Sequence, residues 1–170
     1  MTDNFQKLIA KYRAKGILLD TNLLLLLFVG LVDSDWVNDF GRTKNQQFTK
    51  KEFLLLEGIV KTFSKIVTTP HILTETSNFA FQVDGKRQHS VLQVIAKSIQ
   101  SFKERREESK KLVLADGFYN FGLTDAAILD LPPKRYLVLS VDAPLVIALQ
   151  KKGVDAINFN HLRQHIWQQE

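Results

Sequence analysis

The chain has 170 residues, 45% of them hydrophobic, which suits one domain with an ordinary buried core and excludes disordered, collagen-like and coiled-coil classes. It contains no cysteine, which removes disulfides, thiolate metal sites and cysteine nucleophiles and fits a reducing, cytoplasmic setting. A formal net charge of +5 points to anionic partners, nucleic acid among them.

In chain order, Phe5, Leu8, Ile9 and Tyr12 recur at helical spacing, so Phe5 to Lys15 reads as a helix that Gly16 terminates. Gly16 to Asp20 (GILLD) reads as a short buried strand, and Thr21 or Asn22 can cap the helix that follows. The run Leu23 to Val32 is the most apolar in the chain. It is about half the roughly 20 residues a membrane span needs and stops at Asp33, so it reads as a buried helix and no membrane is expected.

Residues 41–51 are polar and basic and read as a loop, with a helix from Lys51 to Phe63. Lys65 to Thr69 reads as a strand, and Pro70 opens a helix that turns Ile72, Phe79, Ala80 and Val83 inward before Asp84-Gly85 ends it. His89 to Lys111 reads as one long helix whose charged second half is a solvated face. Leu112 to Ala115 is either a short strand or the end of that helix. A helix from Thr124 to Leu131 stops at Pro132-Pro133. Tyr136 to Asp142 (YLVLSVD) is the clearest strand, followed by a helix over Ala143 to Lys152, a strand over Asp155 to Phe159, and a terminal helix.

Strands alternate with helices and are continuously apolar, which indicates a mostly parallel sheet of four to five strands covered on both faces: a three-layer α/β/α sandwich. Ligands of such folds sit beyond the carboxyl ends of the strands. Asp20 and Asp142 end their strands and so reach that edge. Glu75 shares a helix face with Ile72 and Phe79, and Asp125 shares one with Ile128 and Leu129, so both acids point inward.

Each acid alone has an ordinary explanation as a cap, a dipole partner or a solvated group. Four gathered carboxylates repel one another, and a hard divalent cation relieves that repulsion; all-oxygen ligation suits Mg²⁺ or Mn²⁺. Zinc lacks its usual donors: there is no cysteine, and the i, i+4 pair His161 and His165 has no third ligand in view. No nucleophile elbow or phosphate-binding loop is present.

At these residues the chain resembles the PIN-domain family of metal-dependent ribonucleases. The matching pieces are LLDTN at Leu18 to Asn22, LTE at Leu73 to Glu75, TDAAI at Thr124 to Ile128 and LSVD at Leu139 to Asp142. The resemblance covers about residues 16 to 159 of a single domain, with N-terminal and C-terminal helices added. It implies a PIN-like sandwich in which Asp20, Glu75, Asp125 and Asp142 bind Mg²⁺ or Mn²⁺ and hydrolyse phosphodiester bonds of RNA, with Asn22 and Ser140 orienting carboxylates or water behind them. Many small members are toxins paired with an antitoxin protein, and many dimerise. Position 144, two residues after the last acid, is proline here, where some members carry a further acid.

Three readings follow. The first is an endoribonuclease of single-stranded RNA, with Arg42, Lys44, Lys50 and Lys51 holding flanking phosphates. The second is a PIN-fold RNA-binding or scaffold protein with little catalysis. The third is a small-molecule phosphotransfer enzyme, for which no nucleophile is found. The long apolar run and the added helices also suggest a homodimer.

Overall fold

The computed structural model describes residues 3–40, 46, 48–82, 85–115 and 117–167. Five strands form one sheet: β1 (Ile17–Leu19), β2 (Ile66–Thr68), β3 (Lys103–Glu104), β4 (Leu137–Ser140) and β5 (Ala156–Asn158). Every pairing is parallel and the spatial order is β3-β2-β1-β4-β5. All residues of β1 and β4 are buried, so both faces of the sheet are covered, as a parallel sheet requires.

Nine α-helices flank the strands among the described residues: α1 (Asp3–Tyr12), α2 (Thr21–Val32), α3 (Lys50–Val60), α4 (Pro70–Ala80), α5 (Gly85–Ile99), α6 (Ser109–Leu112), α7 (Phe118–Leu129), α8 (Ala143–Lys151) and α9 (Phe159–Trp167). A 3-10 turn over Ser34–Asn38 follows α2.

Helix α2 is the centre of the core. Its residues from Leu23 to Gly30 are all buried, and Phe28 stacks on Phe102 with ring centroids 6.0 Å apart. Each such fully buried side chain contributes about 1.5–3 kcal/mol. Helix α3 crosses so closely that a Cβ at Gly30 would lie 2.1 Å from the Phe53 ring. The long apolar run is therefore covered within the chain from Leu23 to Gly30, while Leu31 at its end stays exposed.

Several boundaries differ from those read in the sequence. Asp20, not Thr21 or Asn22, caps α2: its side chain accepts from the Leu23 N–H. The stretch read as one helix from His89 to Lys111 is α5, then β3, then α6. Helical periodicity continues through Ile99, but the backbone N–H of Arg105 donates to Thr68 O, which draws the charged segment to the sheet edge. There Arg105 pairs with Glu107 and, more loosely, with Asp130, and Lys111 pairs with both acids. Leu112 to Ala115 is not a strand: it is the end of α6 and a turn.

The helix carrying Asp125 begins at Phe118 and bends at Gly122, where φ is 78° and ψ −179°. Lys50 and Lys51 open α3 behind the cap of Thr49 instead of lying in a loop. Val83 and Asp84, placed at the end of α4 by the sequence, lie outside the described residues.

Candidate functional site

The strand order changes direction between β1 and β4. From β1 the chain runs outward to β2 and β3, and from β4 outward to β5. The crevice at the carboxyl ends of such a pair is where open parallel sheets bind ligands. Register then does the rest. Leu19 pairs with Leu139, so the next residues, Asp20 and Ser140, lie side by side, and the Asp20 N–H donates to Leu139 O at 3.1 Å.

Asp20 is 4% exposed, and both of its oxygens are engaged. Oδ1 accepts from the Leu23 N–H at 2.8 Å; Oδ2 accepts from Ser140 Oγ at 2.5 Å and from the Val141 N–H at 2.8 Å. Burial pushes this carboxyl above its ordinary range. The three hydrogen bonds pull it back, and the nearby Asp142 charge adds to the rise.

Asp142 stands just beyond β4 and caps α8, accepting from the Leu145 N–H at 2.9 Å, while its own N–H donates to Ser140 Oγ at 3.0 Å. Glu75 comes from α4, a full helix turn beyond the Pro70 start, and accepts from the Thr21 hydroxyl at 2.8 Å. Asp125 comes from α7, just past its bend.

All four carboxylates line one cleft of about 160 Å³, together with Thr21, Asn22 and Ser140; Phe79 and Leu145 supply its apolar wall. Each acid is half-buried or buried. The crowding is felt most at Asp125, whose pKa rises to about 7 through burial and then through the charges of Asp20, Asp142 and Glu75.

Among the described residues, no group of three or more His, Cys, Asp or Glu side chains is placed, as it stands, to hold a metal ion. Asp20, Glu75 and Asp142 each accept from protein donors. In kind the donor set suits a hard divalent cation: four carboxylates, with no sulfur or imidazole, line one cleft.

The sequence-level set of Asp20, Glu75, Asp125, Asp142, Asn22 and Ser140 is thus gathered in one place. Thr21 was missed as a site residue: a threonine between two polar site residues reads as a helix cap, and only the packing of α4 shows that its hydroxyl meets Glu75. Arg42 and Lys44 lie outside the described residues. Lys50 pairs with Asp35 at 2.9 Å, and neither Lys50 nor Lys51 lines the cleft.

Comparison with protein-family models, with curated proteins and with solved structures finds no match to this chain.

Proposed function

We propose that the chain is a Mg²⁺- or Mn²⁺-dependent endoribonuclease acting on single-stranded RNA, as its resemblance to the PIN-domain family implies. The observation that carries this reading is the convergence of four acids, from two strand ends and two helices, on the cleft at the β1/β4 switch point. Asp20, Glu75, Asp125 and Asp142 would hold the cation. When bound, it supplies Lewis acidity toward a phosphate oxygen and a water activated for attack.

The chain's own residues do the rest. Ser140 and the Val141 N–H fix the Asp20 carboxylate, and Thr21 fixes Glu75. Asp125, kept protonated to about pH 7 by burial and then by the charges of Asp20, Asp142 and Glu75, would ionise to help hold a cation. Single strands fit better than A-form duplex, whose backbone is held in a fixed shape. A role as the toxin of a toxin–antitoxin pair rests on the resemblance alone.

The test compares cleavage of single-stranded RNA by wild type and Asp20→Asn, with either metal and with chelator. The expected result is cleavage by wild type, cessation with chelator, loss in the variant, and no action on simple phosphoesters. Equal cleavage by both proteins overturns the assignment.

One observation favours a second reading. Both oxygens of Asp20 are already satisfied by protein donors, which suits a protein that keeps the fold and binds RNA without cutting it. RNA binding without cleavage under either metal selects that reading.

A further inference from the structure

Parallel strands begin at one edge, so whatever residues precede them gather there. In this chain those residues are cations. Lys15 lies two residues before β1, Lys65 immediately before β2, Lys103 opens β3, and Lys134 with Arg135 precedes β4. All five line a single pocket of about 410 Å³ at the edge of the sheet opposite the carboxylates, with Tyr136 among its walls.

Three of the cations, Lys15, Lys103 and Arg135, are held by aromatic rings or a backbone carbonyl and not by acids. Tyr136 is 4% exposed, and its ring carries Lys103 at 5.8 Å and Arg135 at 5.9 Å from the centroid. Lys15 Nζ donates to the carbonyl of Lys134 at 3.2 Å and lies 5.3 Å from the Tyr12 ring. Lys134 adopts φ 59°, a left-handed conformation uncommon for lysine, which turns the β4 approach sharply at the pocket rim.

Among the described residues none of the five forms an ion pair. The acid that senses Lys134 is Asp155, and its carboxylate already accepts from Lys11 and Tyr12. Burial pushes the Tyr136 phenol up, but the hydrogen bonds and charges of Arg135 and Lys103 together bring it below its ordinary value.

We propose that this pocket binds a compact, multiply charged phosphate, of the class of inorganic tripolyphosphate or the triphosphate group of a nucleotide. Five cations around one small volume match an anion that brings several charges to one place. An RNA backbone spreads single charges along its length and would leave part of this set unpaired. The site is independent of the carboxylate cleft and of any activity there.

Calorimetric titration of the full chain in chelator, at constant ionic strength, tests the proposal. Inorganic tripolyphosphate, a nucleoside triphosphate, sulfate and a short single-stranded RNA are the four probes. The expected result is tight binding of both triphosphates, weak binding of sulfate, and a loss of about tenfold or more on removing two charged donors in Lys103→Gln/Arg135→Gln. Asp125→Asn should bind as wild type does.

Equal affinity for the two triphosphates supports recognition of the phosphate chain alone, and tighter binding of the nucleotide supports the nucleotide as the source. Lys134→Gly is a second variant that relieves the left-handed backbone, so it should stay folded while binding more weakly. Tripolyphosphate bound no more tightly than sulfate overturns the proposal, as does unchanged binding in folded variants. RNA bound in preference to tripolyphosphate also overturns it and assigns the pocket to a nucleic-acid backbone.

Discussion

The Ser140 hydroxyl donates to Asp20 Oδ2 at 2.5 Å and accepts from the Asp142 N–H at 3.0 Å, so one buried oxygen joins two acids that are 122 positions apart in the chain (142 − 20). Ser140→Ala removes both bonds without changing the backbone. The variant should lose about 1–3 kcal/mol of stability, because a buried carboxylate and a backbone donor lose their partner. The Asp20 carboxyl should rise further, since a hydrogen bond favouring its ionised form is gone. Urea unfolding near neutral pH checks the first effect, and weakened Mn²⁺ binding checks the second. Unchanged values of both would mean that the hydroxyl does not hold the site.

Asp125 makes the metal-free protein sensitive to pH in a defined direction. Its pKa is raised to about 7 in the folded chain, above the ordinary carboxylate range. Between those values the folded state keeps a proton that the unfolded chain releases. Its contribution to stability is therefore fully present at low pH and is lost as pH rises to about 7. Asp125→Asn lacks this dependence. In chelator, thermal melts should show the variant gaining on wild type from about pH 4 to 7 and exceeding it above. Added Mg²⁺ should narrow the gap by stabilising wild type more than the variant. Parallel pH curves for the two proteins would refute the electrostatic origin.

Thr21 holds Glu75 by a hydrogen bond of 2.8 Å. Thr21→Val keeps the shape and removes the donor. Residues that hold a metal ligand typically change metal affinity by about 10- to 100-fold, so Mn²⁺ binding should weaken by about tenfold. Stability should change by less than about 1.5 kcal/mol, since Glu75 is only half-buried and water can replace the hydroxyl. Manganese titration followed by a melting experiment separates the two effects.

Gly122 sets the direction of the helix that carries Asp125. Its φ of 78° with ψ of −179° belongs to a region open almost only to glycine. Among the described residues, nothing beyond the glycine's own chain neighbours and helix backbone lies within 4 Å of where a Cβ would sit, so the cost of Gly122→Ala is conformational and not a clash. That cost should be about 1–3 kcal/mol. If the chain instead straightens the bend, Asp125 leaves the cleft and the pH response described above disappears. Circular dichroism melts at acid and neutral pH distinguish the two outcomes.

Much of this arrangement was legible in the sequence because it is local. The strands Ile17–Leu19, Ile66–Thr68, Leu137–Ser140 and Ala156–Asn158 are short apolar runs bounded by polar or turn residues, and apolar periodicity set the inward faces of Glu75 and Asp125. The third strand was not legible. Lys103–Glu104 is two charged residues long, and it becomes a strand only because β2 has a free edge for it to join.

Strand order was equally out of reach. Nothing within either segment states that β1 lies beside β4, yet that adjacency is what puts Asp20 against Ser140 and gathers the four acids. The same sheet collects five cations at its other edge, although residues 15 to 135 are far apart in the chain. Local pattern decides which segments form strands and which faces are apolar, because it depends on neighbours within a few residues. Pairing decides which strand ends meet, because it is a competition among distant segments for hydrogen bonds and burial, and only the folded chain resolves it.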